Sequence, residues 1–405
     1  MRDDLRLAVA YRGIDPLLAT PAPPLDLAVG AMETFTIGNV DSNTVSQIDA
    51  RLLSIGDNAY FWFDEGEGGV EPRESELEEV TAEFDAIYDT LYASFGVSPP
   101  PGGRVHIVHA SSSALCDDPD ACSLAGYFSS RDLLPASVNP LSNERPMFVM
   151  NARQYGTDNY LDVLSHELRH MLGWSYDTSE EDWFIEGAAM LAEDLVGFTT
   201  DPQARGSLFL ENPDQQLNSW SDENRIPYYG QGYLVNRFLY DRLGPELYRE
   251  FSLSQAPGLA AVDDVAAAAG RDETGLRLWL DWLVAMAVHD EDDLPERYRW
   301  SGPDLDRLTT TPIKSLPAAF DTTVSQYAAD YYELPSSGEI RLAFSGAPDV
   351  SLLGTGAPSG QYVWYAQRAN ESNPRLTRAV DLRDVDAATL TYSVYADIEH
   401  SYDFA

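Results

Sequence analysis

Residues 163–173 read VLSHELRHMLG and contain the pattern H-E-x-x-H as His166, Glu167, Leu168, Arg169 and His170. On an α-helix, residues four apart share a face, so both imidazoles can reach one cation. Glu167 sits one step round the helix, placed to take a proton from a water held by that cation. Neutral imidazole suits Zn2+, and a catalytic zinc has three protein ligands and one open position. Val163 and Leu164 precede the pattern and Met171 and Leu172 follow it, which predicts a buried helix around a polar site. Arg169 is unusual, because the inner positions of such motifs are mostly uncharged. Gly173 reads as the stop of the helix.

A third ligand decides the type of site. Tyr176 falls where a metzincin places its third histidine, and Asp177 is one step late. The stronger candidate is Glu186 in DWFIEGAAMLAEDLVG. Thr178 and Glu181 have capping-box spacing at the start of that helix. The TSEED loop lets the second helix fold back on the first, so that Glu186 faces the two histidines. Trp183, Phe184 and Ile185 predict a buried approach. Glu193 lies two turns along the same face, either behind the ligands or on a solvated face. Of the other histidines, His106 and His109 lie three apart on a strand-like run and point to opposite faces, while His289 and His400 are isolated. There is no phosphate loop and no nucleophile elbow.

HELRH followed by WFIEG resembles the gluzincin zinc peptidases, which pair H-E-x-x-H with a Glu on the following helix. Within them it is most similar to bacterial secreted peptidases of the hyicolysin type. AGYFSSRDLLP and SNERPMFVMN resemble the strand region before the active-site helix, and LNSW and YYGQGYLVNRFLYDRLG resemble the helical lobe. The stretch from Tyr362 to Ala405 resembles the β-rich module of immune inhibitor A-like peptidases. The resemblance implies a zinc held by His166, His170 and Glu186, with Glu167 as general base. It also implies an oxyanion donor from a Tyr-x-x-Gly segment. Tyr229 in Tyr229-Gly230-Gln231-Gly232 fits that place, with Tyr228 and Tyr233 as neighbours that could serve instead.

The elements that must position these residues are legible as patterns. Residues 1 to about 30 are Pro-rich and read as a leader or linker. TFTI and AYFWF are short β-type runs. Ser75 to Gly96 is an amphipathic helix, with Leu77, Val80, Phe84, Ile87 and Leu91 at helical steps and Ser75 and Glu78 at capping-box spacing. RVHIVHA and PMFVM read as strands. Helices are expected near 158–173, 180–197, 228–243, 245–252 and 276–288. Beyond Leu308, EIRLAF, YVWYAQR and TLTYSVYADI alternate as an all-β, sandwich-like module does. The expected class is therefore α+β. An N-terminal leader and β-rich segment (1–74) precedes a zincin-like catalytic domain (75–307) with a small sheet, an active-site helix and a helical lobe. The β-module (308–405) comes last and stops partway through its strand pattern, which reads as a fragment of a longer secreted chain.

Composition narrows the partners. The 405 residues carry 26 basic and 66 acidic side chains, a net charge of −40. Such a balance argues against nucleic acid and anionic lipid, which need clustered Lys and Arg. Lys314 is the single lysine. No apolar run is long enough to span a membrane. Asp117, Asp118 and Asp120, or Asp290 to Asp293, could hold Ca2+, although neither run has EF-hand spacing. Cys116 and Cys122 could close a local disulfide, which implies an oxidising compartment. The start, MRDDLRLAVA, has acids where a signal peptide is basic. The expected partner is a protein or peptide, outside the cell or at its surface, with the oligomeric state open. The expected activity is endopeptidase. Two rivals stay open: a zinc aminopeptidase on the same scaffold, disfavoured by the lack of a G-x-M-x-N-type motif, and a non-catalytic surface or adhesion protein with a vestigial zinc site.

Overall fold

The structure is a computed structural model that describes residues 4–14, 27–96, 103–174, 180–221, 224–335, 338–351, 353, 355–366, 374–396 and 398. Its frame is a six-stranded sheet. The strands are β1 (Met32–Asn39), β2 (Thr44–Ile55), β3 (Ala59–Asp64), β4 (Val105–Ala110), β5 (Gly126–Phe128) and β6 (Met147–Asn151). Their order across the sheet is β1-β2-β3-β4-β6-β5. β3, β4 and β6 run parallel in the middle, and β1, β2 and β5 are antiparallel to their neighbours. The sheet is continuous across residue 74, the expected domain boundary.

The middle strands read as unbroken apolar runs because both faces are covered. Phe61, Phe63, Val105, Ile107, Phe148 and Met150 point into the larger core. Alternate residues Tyr60, Trp62, Val108, Met147 and Val149 form a second core with Leu115, Cys116 and Phe35. The loop over this second face is closed by a disulfide between Cys116 and Cys122, the pair expected from the sequence. His106 and His109 do point to opposite faces. Trp62 Nε1 donates to His106 Nδ1 at 3.0 Å, and His109 lies flat on Phe63. Burial lowers His106 to about 3 and His109 to about 4, so both are neutral core residues.

Before the sheet lies a short helix, α1 (Asp4–Leu7), running into a π-helical turn (Ala8–Arg12). The segment expected as a leader thus has a docked start: Arg12 donates to the Val138 and Ser137 carbonyls, and Ala8 packs with Leu134 and Val138. α2 (Glu74–Phe95) covers the larger core with Leu77, Phe84 and Leu91. Its first residue is Glu74 and its N-cap is Arg73, without a side-chain cap, so the box expected from Ser75 and Glu78 is not formed. After α3 (Ser112–Leu115) come the two helices of the site, α4 (Tyr160–Trp174) and α5 (Asp182–Leu195). α5 has Glu181 at its N-cap, and Thr178 lies outside the described residues. The helical lobe adds α6 (Thr200–Glu211), α7 (Ile226–Leu243), α8 (Pro245–Ser252), α9 (Leu259–Ala268) and α10 (Gly275–Val288).

The all-β sandwich expected after Leu308 is not borne out among the described residues. Among the described residues beyond it, the paired strands are β7 (Thr311–Pro312) and β8 (Tyr332–Glu333), two residues each. Alternation makes a sheet only where a partner strand and a covering layer exist. Here Phe344, Tyr362, Trp364 and Leu390 are more than four-fifths exposed, so among the described residues nothing covers them. The segment nearest the lobe is anchored: Leu217 N donates to the Tyr327 carbonyl, and the Tyr331 hydroxyl to the Leu283 carbonyl. No helix among the described residues is long and apolar enough to cross a membrane.

Candidate active site

α4 is placed by its buried face. Leu164 and Leu168 enter the larger core, and the Tyr160 hydroxyl at its first residue pairs with His109 Nε2 on β4 at 2.7 Å. This leaves His166 and His170 on the opposite side, facing α5. From α5, Glu186 Oε2 lies 3.4 Å from both His166 Nε2 and His170 Nε2. Among the described residues, these three are the one group of His, Cys, Asp or Glu side chains whose ligand atoms converge. Tyr176 and Asp177, the other candidates, lie outside the described residues. The acids Asp117, Asp118 and Asp120 do not converge; Asp120 pairs with Arg153 and Asp118 accepts from the Asp120 N–H.

The triangle fits zinc. Ligand bonds of about 2.0–2.1 Å in a tetrahedron hold ligand atoms about 3.3 Å apart. Glu186 Oε2 is buried and has no hydrogen-bond partner, the state of an oxygen built to meet a cation. The charges agree. Burial disfavours charge on both His166 and Glu186, but their mutual contacts win. The nearby carboxylates of Glu186 and Glu193 raise His166 to about 10. The neighbouring His170 and His166 hold Glu186 well below the usual carboxylate range. A divalent cation supplies the same compensation.

Glu193 stands behind His166 rather than on a solvated face. It is buried, and its Oε1 lies 2.7 Å from His166 Nδ1. Holding the Nδ1 proton there turns the Nε2 lone pair toward Glu186 and His170. Glu167 is 6% exposed, on the same helix as the histidines. Replacing Glu186 by Ala is expected to cost zinc: metal content after gel filtration falls well below that of the parent chain, while unchanged content moves the third ligand elsewhere.

Of the three tyrosines, Tyr229 is the one beside the histidines, with its ring centroid 6.1 Å from that of His166. Burial keeps its phenol above the ordinary range, so it remains an O–H donor at neutral pH. The Tyr233 hydroxyl donates instead to Asp194, and Tyr228 leans on Trp220. The glycines between them position α7. A Cβ on Gly232 would meet the Trp183 carbonyl at 2.6 Å, and one on Gly187 would meet the Gly232 carbonyl at 2.3 Å. Backbone therefore meets backbone next to both Glu186 and Tyr229.

Two further residues flank Tyr229 that the motifs do not announce. The Trp220 ring lies 5.1 Å away, edge-on, and the Arg205 guanidinium from α6 lies 4.8 Å from the ring centre. Arg169 is buried between Phe95 and Phe184, at 4.8 and 5.5 Å. Gly173 is not the helix stop, since α4 continues to Trp174. Its absent side chain leaves room for Arg169, whose Nη1 lies 2.3 Å from where a Cβ would be. A cavity of about 450 Å3 lies apart from all these residues, lined by Asp49, Asp64 and Ser111. Asp64 there is satisfied, accepting from the Gly66 and Ser111 N–H groups.

No protein-family model matches the chain, and no curated protein matches it. Solved structures do. An M1 zinc metallopeptidase from Deinococcus radiodurans matches with 16% identity and a TM-score of 0.37, over 67% of this chain and 55% of that one. A mutant from the same organism, bound to a Tyr-Ser-Ala substrate, gives 16% and 0.32, over 62% and 47%. A conserved protein of unknown function from Bacillus anthracis gives 12% and 0.32, over 54% and 46%. The chain spans about half the length of these structures.

Proposed function

We propose that the protein is a zinc-dependent peptidase of the gluzincin type, acting on internal peptide bonds. The observation that carries this is the convergence of His166, His170 and Glu186, with Glu167 beside them on the same helix. A purely structural zinc needs ligands but no neighbouring base. The hyicolysin-like segments HELRH and WFIEG support the same reading. The Cys116–Cys122 disulfide supports an exported protein. The continuous sheet supports a catalytic unit that begins at β1 and runs to about Leu308.

In this reading His166, His170 and Glu186 hold the zinc, and Glu193 orients His166. Zinc, when bound, lowers the pKa of water from 15.7 toward about 7 and polarises a carbonyl. Glu167 takes the proton as water attacks the peptide carbon, and then gives it to the leaving amine. The carbonyl oxygen becomes an oxyanion, to which the Tyr229 hydroxyl donates a hydrogen bond. The amide nitrogen leaves protonated, and the two products separate.

The test is zinc content by elemental analysis together with hydrolysis of casein and of an aminoacyl anilide, each with and without chelator. One zinc per chain and chelator-sensitive casein hydrolysis is the expected result. Hydrolysis of the anilide alone would move the reading to an aminopeptidase. Zinc without hydrolysis would favour a vestigial site, and a chain without zinc would end the proposal.

A further inference from the structure

We propose that Arg205 is a positioning residue for Tyr229: it fixes the ring by its face and strengthens the phenol as a hydrogen-bond donor. The inference rests on the peptidase reading above, in which Tyr229 meets the oxyanion.

Three observations support it. The guanidinium carbon lies 4.8 Å from the Tyr229 ring centroid, within cation–π range. Its orientation is set on its own helix, since Asp201 Oδ2 accepts from Arg205 Nε at 3.2 Å and Nη2 at 2.7 Å. Its backbone is fixed too: a Cβ on Gly230, next to Tyr229, would lie 1.9 Å from the Arg205 carbonyl oxygen. Side chain and main chain of one residue thus grip the tyrosine and its neighbour. With His166 and Trp220 also against it, the ring is bounded on several sides.

The chemistry follows from charge. A cation on a phenol's face draws density from the ring and leaves the O–H more strongly polarised. That gain is largest when the accepting oxygen carries full negative charge, so it favours the transition state over the bound substrate. A half-exposed i,i+4 ion pair with Asp201 would by itself be worth little, and Lys would serve it equally well. Bonding Asp201 edge-on while lying over a ring needs a planar fork, which Lys lacks.

The test uses the full zinc-loaded chain as R205M, R205K, Y229F and the double variant R205M/Y229F. R205M is expected to lower kcat roughly tenfold, with KM and zinc content unchanged. R205K should recover only part of the loss. In the Y229F background, R205M should cost nothing further, because the coupling runs through the tyrosine. A second readout is independent of turnover and of metal. In zinc-free protein labelled with 3-fluorotyrosine, the 19F resonance missing from Y229F should shift in R205M. Equal losses with and without Tyr229, or an unshifted resonance, would overturn the proposal, as would full activity in Y229F. If the parent chain shows no chelator-sensitive hydrolysis, the peptidase reading fails on its own, and the 19F shift alone then decides the Arg205–Tyr229 contact.

Discussion

Replacing Glu167 by Gln is expected to lower peptide hydrolysis by about 10²–10⁴-fold, the range for loss of a general base. The zinc should stay. Gln has the same shape, so the buried space around position 167 remains filled. None of the three converging ligand atoms belongs to this residue. What the amide cannot do is accept a proton and release it. The measurement is kcat on a fluorogenic peptide, with zinc content and Tm on the same preparation. Activity near that of the parent chain would place the base elsewhere. Loss of zinc would make Glu167 a ligand rather than a base.

The second large effect is expected at a residue that does no chemistry. Gly187→Ala adds a Cβ that would lie 2.3 Å from both the carbonyl carbon and oxygen of Gly232 and 2.4 Å from Asn236 Nδ2. Two of those atoms are backbone, so no rotamer change relieves the clash. α5 and α7 must part. Overpacking of this kind costs about 1–3 kcal/mol. At about 2–4 °C per kcal/mol for a domain of 150–250 residues, Tm should fall by several degrees. Activity should fall further than stability explains, because Glu186 is the adjacent residue on α5 and Tyr229 rides on α7. Gly356→Ala is the control, since a Cβ there meets nothing within 4 Å. A Gly187→Ala protein with unchanged Tm would mean that the two helices have slack.

Much of this arrangement could be read from the residues. His166 and His170 follow from one helical step, and α4, α5, α7 and α10 carry enough apolar periodicity to be placed. Glu186 could be singled out because apolar residues lead into it. Two helices of the lobe carry no usable signal. α6 has Pro202 in its first turn and Gly206 near its middle, both poor helix formers, so the sequence does not mark the helix that carries Arg205. α9 is mostly alanine with two aspartates, too weakly amphipathic to stand out. The capping box at Ser75 failed because a four-residue pattern is common by chance, and helix ends are set by tertiary contacts as much as by caps. Alternation beyond Leu308 identified residues able to form strands. It could not show what would pair with them, since pairing is a property of the neighbours.

Arg169 illustrates a different kind of constraint. Its guanidinium lies between Phe95 and Phe184, so swinging away from the space over Gly173 would give up both ring contacts. A side chain at 173 would have to displace that guanidinium as long as arginine occupies 169. The two positions are therefore coupled in packing, although nothing in the reaction joins them. With a smaller residue at 169 that contact would be gone, and position 173 would gain room for a side chain.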